Sequence, residues 1–283
     1  MVSIVMPVYD RADLFEITLQ SILLQKGVKY EIIVVDDNSS DKEIEKVAKK
    51  YNVKYFRNET NLGAQQSRNI GVSEACYEYI AFLDSDDIWN SKDKLLRQYE
   101  LLLGNQDISI VFTSLIYIDI KGIVTNIENK VNKKTVYLNK DILIKDYIGT
   151  YSSVMVRKKD FISAGMCNIE LPARQDWDLW VRLTLLGDAC KLSDCFTKYR
   201  IHENQISSGY EKKINGFSMF LLNHKELYWK YNLKMNFYMH LFKLILLSII
   251  TKTTTEKYNI LMQFSKTEIY IINTLVKIII LLM

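Results

Sequence analysis

The alternation of short, almost unbroken apolar runs with polar or amphipathic stretches over the first 83 residues constrains this chain more than any other feature. Residues 2–8 (VSIVMPV), 31–35 (EIIVV), 53–56 and 79–83 are apolar and largely β-branched or aromatic, so each reads as a strand, buried on both faces where the run is continuous. Between the first two, residues 13–25 carry Leu14, Ile17, Ile22 and Leu23 at helical spacing, with Gly27 as a stop signal. Residues 42–51 follow Asp36-Asp37-Asn38-Ser39-Ser40-Asp41, a turn rich in capping side chains, and read as a second helix; residues 64–75 read as a third. Strands without a polar face, alternating with helices, predict an α/β fold on a mostly parallel sheet covered on both sides. Ligands of such sheets bind at the carboxyl ends of the strands. Asp36-Asp37 and Asp84-Ser85-Asp86-Asp87 both stand there.

Past Trp89 the alternation weakens. A helix is expected over 92–103, a strand over 108–118, a hairpin and then a helix within the polar 119–150 stretch, a strand at 153–156 and a short amphipathic helix over 176–186. No internal repeat or low-complexity tract is visible. The 283 residues allow one large domain or two modest ones. A boundary near residue 210 is expected, where the character of the sequence changes, with a helical region over 211–283. With 48% hydrophobic and 25% charged residues the chain is globular, and Pro7 and Pro172 are its only prolines, which excludes a Pro-rich linker. Cys76, Cys167, Cys190 and Cys195 form no C-x-x-C pair, and without a secretory leader at Met1 they are expected to be reduced thiols in the cytosol.

The net charge of +4 conceals an asymmetry. Residues 191–283 hold 13 lysines and arginines against 6 acidic residues, whereas residues 1–190 hold 24 against 27. A mildly acidic body with a basic, apolar tail does not match a nucleic-acid binder, whose basic patch lies on the folded domain; it matches attachment to a membrane surface.

Three carboxylates within four residues repel one another unless cations or donors offset them. Oxygen-only ligands select Mg²⁺ or Mn²⁺, and Mg²⁺ is commonly held by one or two carboxylates together with substrate phosphates. Asp84-Ser85-Asp86-Asp87 therefore points to a metal–diphosphate site, the competing explanation being an acidic cluster at the start of the following helix. An aspartyl-phosphate phosphatase is disfavoured, because its acidic motif follows the first strand. A dinucleotide-binding oxidoreductase fails on spacing, since no glycine occurs between the first strand and Gly27.

Six ordered motifs give the chain a specific resemblance. They are Ile4-Val5-Met6-Pro7-Val8-Tyr9-Asp10; Val34-Val35-Asp36-Asp37-Asn38-Ser39-Ser40-Asp41; Asn61-Leu62-Gly63 with Ser67-Arg68-Asn69-Ile70-Gly71; Phe82-Leu83-Asp84-Ser85-Asp86-Asp87; Gln175-Asp176-Trp177-Asp178-Leu179-Trp180; and Tyr199-Arg200-Ile201-His202 with Ser207. Over residues 2–207 the chain resembles glycosyltransferase family 2, whose fold, GT-A, is a Rossmann-like sheet with flanking helices. The resemblance implies that the stretch Pro7, Val8, Tyr9 and Asp10, together with Asp37, holds the nucleobase. A carboxylate accepting an imide N–H favours uracil, hence a UDP-linked donor. It further implies that Asp84 faces the ribose, that Ser85, Arg68 and Arg200 lie against the nucleotide, and that Asp86 and His202 bind Mn²⁺ or Mg²⁺.

Asp176 is implied as the general base. Inverting transfer needs a carboxylate beside the acceptor hydroxyl, opposite the leaving nucleotide, while the metal stabilises the departing diphosphate. The family usually shows Glu-Asp where this chain has Gln175-Asp176, so a supporting carboxylate is missing. Asp178 competes for the role, but lies two residues on along a helix and so points elsewhere. Trp177 and Trp180 either stack on a sugar or belong to the core.

In the tail, residues 236–251 read as an apolar helix, and residues 269–283 (IYIINTLVKIIILLM) are apolar except for Asn273, Thr274 and Lys277. A membrane span needs about 20 apolar residues. The shorter run fits an interfacial helix, or one that packs on protein. The expected function is metal-dependent, inverting transfer of a sugar from a nucleotide-sugar donor to a glycan or lipid-linked acceptor in cell-surface polysaccharide assembly. The protein would sit in the cytoplasm, peripheral on the inner face of the cell membrane. The rival is a nucleotide-sugar-binding module of the same fold without turnover, for which intact Asp86 and Asp176 would be superfluous.

Overall fold

Strand β1 (Val2–Val8) is buried at every residue, because it has a hydrogen-bonded neighbour on each edge and helices against it. The computed structural model describes residues 1–127, 135–201 and 210–250, the side chains of residues 194–195 and 248–250 excepted. After β1 come α1 (Ala12–Leu23), β2 (Tyr30–Asp36), α2 (Glu43–Lys50), β3 (Lys54–Arg57), α3 (Ala64–Ser73) and β4 (Tyr79–Phe82). The order β3-β2-β1-β4 is parallel throughout, which produces the strand–helix rhythm of the sequence. Even-numbered β1 residues (Val2, Ile4, Met6, Val8) pack with Phe15, Leu19 and Ile22 of α1, and Val5 faces α3 on the other side.

Beyond β4 the elements are β5 (Ile88–Trp89), α4 (Lys94–Gly104), β6 (Ile108–Ile118), β7 (Val124–Ile127), β8 (Val136–Tyr137), α5 (Asn139–Ile144), β9 (Met155–Arg157), α6 (Lys158–Ser163), α7 (Gln175–Leu183) and β10 (Asp188–Arg200). The sheet continues as β4-β9-β6-β10-β5. Here β9 runs antiparallel to both β4 and β6, β10 lies parallel to β6, and β5 lies antiparallel to β10. Of the described strands within 119–150, β7 pairs with the preceding β6 and β8 with β10, so the hairpin begins before that stretch; the helix expected there is α5. Strands β5 and β10 were not anticipated. Asp188, Lys191, Asp194 and Lys198 interrupt the apolar pattern of β10, whose register with β6 also shifts between Leu192 and Phe196.

The chain divides into two compact units. One comprises Met1–Ile169 and Asp176–His202, and the other Glu170–Gln175 and the segment from Glu203 onward. The described part of the second includes α8 (Tyr210–Lys230) and α9 (Lys234–Ile250). They share a core of Ile214, Phe220, Leu221, Tyr228, Phe237 and Leu241, in which the Tyr228 hydroxyl lies 2.9 Å from His240 Nδ1. Met235, Met239 and Leu246 form an exposed stripe on α9. No helix among the described residues is long and apolar enough to cross a membrane. The apolar run at 269–283, His202 and Ser207 lie outside the described residues. Cys76, Cys167 and Cys190 are free thiols.

Close contact between α3 and β1 rests on Gly71. A Cβ built there would lie 2.5 Å from Val5 Cγ1, on a β-branched side chain with no room to turn. Overpacking of this kind costs about 1–3 kcal/mol, which outweighs the roughly 1 kcal/mol gained by replacing a helical glycine with alanine. Gly71→Ala should therefore lower the urea midpoint without changing its slope.

Candidate active site

The carboxyl ends of β2, β1 and β4 bring three loops together, and most of the polar contacts at this edge of the sheet are made between loops rather than within them. The paired aspartates after β2 divide the work. Asp36 is fully buried and its Oδ2 accepts Tyr55 Oη at 2.5 Å and Arg57 Nη1 at 2.7 Å, while its Oδ1 takes the Ser39 N–H. Asp37, also buried, holds the next loop. Its Oδ1 accepts the Leu62 N–H and Asn58 Nδ2, both at 2.8 Å, and its Oδ2 accepts the Gly63 N–H at 2.8 Å. Asn58 passes the network on to Ser67 Oγ at 3.1 Å, one residue before Arg68. Pro7 and Val8 pair in register with Val35 and Asp36, the Val8 carbonyl accepts the Asp37 N–H, and Tyr9 is half exposed beyond them.

Asp10 and Arg11 turn the chain from β1 into α1 with successive left-handed φ values of 54° and 60°. Asp10 Oδ1 accepts Ser40 Oγ and the Asp41 N–H, and the Asp10 N–H donates to Ser39 Oγ. Arg11 is directed at the acidic turn after β4, its Nη1 3.5 Å from Asp86 Oδ2.

Each carboxylate of that turn meets a different partner. Asp84 Oδ1 pairs with Arg68 Nη2 at 2.5 Å, and the Asp84 N–H donates to Ser152 Oγ. Arg68 is buried, and its guanidinium stacks 3.9 Å from the Tyr151 ring. The Ser85 and Asp87 carbonyls accept the Thr18 hydroxyl from α1. Asp87 is fully buried; Oδ1 accepts the Arg200 N–H at 2.8 Å, and Oδ2 is out of hydrogen-bonding range. Burial, followed by the charges of Asp86 and Asp84, raises the Asp87 carboxyl well above the ordinary carboxylate range, and Ser152 and Arg200 offset only part of this. The Arg200 guanidinium lies beneath the turn, donating Nε to the Asp86 carbonyl and Nη1 to the carbonyls of Asp119 and Ile120.

Asp176 occupies the first turn of α7, half-buried, with Oδ1 accepting the Trp177 N–H. Burial, followed by Cys167, raises the Tyr151 hydroxyl well above its ordinary value; Arg68 opposes this and Asp176 adds a lesser contribution. Burial likewise pushes the Cys167 thiol up to about 11. Asp178 is buried and its Oδ2 is gripped by Arg182 Nε and Nη2. Trp177 and Trp180 are core: their indoles are buried and donate to the Ile142 and Gly149 carbonyls.

Among the described residues no group of three or more histidines, cysteines or carboxylates is arranged to hold a metal. Asp84 and Asp86 are oxygen ligands of the kind that suits Mg²⁺ or Mn²⁺ completed by substrate phosphates. Arg11, Asn58 and Tyr151 escape sequence reasoning. Only the Asp-Arg pair directly after a strand, where Asp favours left-handed turns, gives a local signal for the first.

A parallel half-sheet with acidic loops at its carboxyl edge, extended by mixed strands, is the architecture of a GT-A glycosyltransferase. Residues 3–161 match the family described as Glycosyl transferase family 2, and the chain belongs to that family. It is 33% identical over 215 residues to TuaG of Bacillus subtilis (strain 168), named for teichuronic acid biosynthesis, covering 74% of this chain and 82% of that one. It is 30% identical over 219 residues to the Escherichia coli UDP-Glc:alpha-D-GlcNAc-diphosphoundecaprenol beta-1,3-glucosyltransferase WfgD, covering 76% and 82%. The fold resembles S. aureus TarS 1-349 in complex with UDP-GlcNAc, with TM-score 0.64, 20% identity, and 78% of this chain and 65% of that one covered. It also resembles the mannosyltransferase PcManGT from Pyrobaculum calidifontis in complex with GDP-Man and Mn²⁺, with TM-score 0.61, 14% identity and coverage of 80% and 64%. The chain thus spans just under two thirds of the length of these solved structures.

Asp37→Asn replaces one acceptor oxygen with a donor that faces an N–H group or the Asn58 amide. With hydrogen bonds to a charged group contributing about 1.5–3 kcal/mol, the variant should lose about 2–3 kcal/mol in chemical denaturation and be cleaved faster within residues 58–63 under limited proteolysis. Unchanged stability together with lost nucleotide binding would mean that Asp37 serves a ligand and not the loop.

Proposed function

We propose that this glycosyltransferase moves a sugar, with inversion and with the help of Mn²⁺ or Mg²⁺, from a UDP-linked donor to a glycan or lipid-linked acceptor in cell-surface polysaccharide assembly. The observation that carries this is the Asp84–Arg68 ion pair stacked on the Tyr151 ring at the carboxyl edge of the sheet, with Asp176 half-buried in the first turn of α7. The names of TuaG and WfgD support the polysaccharide context, and the ligand of TarS supports a UDP-linked donor.

The nucleobase would lie against Pro7, Val8 and Tyr9, with Asp10 fixing the turn that follows. Among the described residues Asp37 Oδ2 accepts a single donor, which leaves a lone pair for an imide N–H. Asp84 and Ser85 would face the ribose, with Arg68 fixing the Asp84 carboxylate, and Arg200 would hold the turn on which the diphosphate rests. A divalent ion held by Asp86, with His202 as a candidate second ligand, would supply charge neutralisation at the diphosphate. Asp176 takes the proton of the acceptor hydroxyl; that oxygen bonds to the anomeric carbon from the face opposite the diphosphate, whose bond to the same carbon breaks and which leaves as nucleoside diphosphate. The exposed Met235, Met239 and Leu246 stripe on α9, flanked by Lys243, supports attachment of the basic tail to an anionic membrane surface.

Donor turnover with Mn²⁺, read as release of nucleoside diphosphate, tests the assignment. Asp176→Asn should reduce kcat by about 10²–10⁴-fold while leaving UDP affinity within about twofold, and Asp86→Ala should abolish the metal dependence of UDP binding. Normal turnover in Asp176→Asn would remove it as the base.

A further inference from the structure

Five large aliphatic side chains stand in solvent at one end of the sheet. Ile120, Ile123, Val124 and Ile127 belong to the β6–β7 hairpin and Ile201 follows the end of β10, and each is 48–60% exposed. The Ile201 N–H donates to the Ile118 carbonyl, which joins it to the base of the hairpin. Because β9 lies antiparallel between β4 and β6, those two strands run the same way, and the hairpin rises from the edge of the sheet that carries the acidic turn. The Arg200 guanidinium links the two directly, with Nε on the Asp86 carbonyl and Nη1 on the Asp119 and Ile120 carbonyls.

The hairpin tip is a formed turn. Gly122, at a φ of 83°, donates its N–H to the Asp119 carbonyl at 3.0 Å, and Asp119 Oδ1 accepts the Lys121 and Ile123 N–H groups. Asp and Gly stand where such a turn needs them, but an exposed isoleucine at its corner serves neither the turn nor solubility. Apolar residues also occupy both faces of the hairpin, where a sheet with one packed face needs them on one only. Pairing with β6 puts Val124 and Ile127 on the face of Ile118 and Ile116, and Ile123, next in sequence to Val124, points to the opposite face. A protein partner laid on one face would leave the other in water. The four residues of β7 are also too short an edge to supply the area that a stable dimer buries. An apolar medium covers both faces at once. Exposed Lys121 at the apex supplies charge that complements anionic headgroups, while the Asp119 carboxylate is taken up by the turn itself.

We propose that the β6–β7 hairpin is a membrane-docking element. Its apolar tip enters the interfacial layer of an anionic bilayer and sets the acidic edge of the sheet against the lipid surface. One guanidinium, that of Arg200, holds both the turn after β4 and the base of the hairpin, so the bilayer contact and the site are fixed to each other. The inference rests on the lipid-linked acceptor reading above, in which the sugar must reach a hydroxyl anchored at the bilayer. It does not depend on the α9 stripe, since every residue it uses belongs to the sheet and its loops.

Vesicles of phosphatidylglycerol and bromine-labelled phosphatidylcholine, added to the full-length chain, test the contact, because the bromine quenches tryptophan that reaches the lipid. The emission added by Ile123→Trp, taken as the difference from the wild type, should be lost on vesicle binding. Ile162→Trp should keep its added emission, since α6 follows β9 at the opposite end of the sheet and Ile162 is exposed there. Ile120→Asn combined with Ile123→Asn should weaken vesicle binding about tenfold, with UDP affinity in solution held within about twofold. Both side chains are exposed, so the double variant should fold, and an unchanged thermal midpoint checks that it does. Unquenched emission from Ile123→Trp in vesicle-bound protein overturns the proposal, as does equal quenching at 123 and 162. So does a wild type that binds no vesicles, a double variant that binds them as the wild type does, or a solution dimer that the double variant dissociates. Failure of the wild type to bind UDP with Mn²⁺, in the absence of vesicles, overturns the transferase reading instead and leaves the quenching result standing.

Discussion

Mutual repulsion among Asp84, Asp86 and Asp87 is the constraint around which this edge of the molecule is arranged. Three carboxylates in four residues cannot be left to water once one of them is fully buried, so each is met from a different direction: Asp84 by Arg68 of α3, Asp86 by Arg11 between β1 and α1, and Asp87 by the backbone of Arg200 at the end of β10. Thr18 of α1 adds a hydroxyl to the carbonyls of the turn. The turn thereby ties the parallel half of the sheet to the mixed half, and burial, followed by the charges of Asp86 and Asp84, raises the Asp87 carboxyl.

The loops after β2 use the same chemistry for a different end. Asp36 and Asp37 are adjacent and both buried, yet neither is left with a deficit, because each accepts three donors within reach. Their work is architectural first: Asp36 ties down β3 through Tyr55 and Arg57, and Asp37 closes the 58–63 loop over the end of the sheet. A site assembled from loops on a rigid strand edge gains its precision from such cross-loop hydrogen bonds, since loop backbone has few of its own.

How far the sequence could be read depended on burial. Strands β1, β2 and β4 are covered on both faces, so their side chains are apolar without interruption and their limits fall within a residue or two of expectation. Strand β10 carries charges at Asp188, Lys191, Asp194 and Lys198 and shifts register against β6, and no periodicity survives that. The indoles of Trp177 and Trp180 were open to either a sugar-stacking or a core role until the Ile142 and Gly149 carbonyls were seen to receive them. Asp178 was separable from Asp176 by helix geometry alone, and its grip on Arg182 gives the reason it is where it is.

The sequence by itself determined the parallel half of the fold and the position of its acidic residues at strand ends, because strand burial and turn chemistry are local and leave a periodic trace. Only the tertiary structure decided which cation meets which carboxylate. Arg11 and Asp86 are 75 residues apart, and they meet because two adjacent left-handed residues, held by a neighbouring loop, turn one side chain across the edge of the sheet. A left-handed backbone at a non-glycine residue is imposed by its surroundings, and those surroundings exist only once the chain has folded.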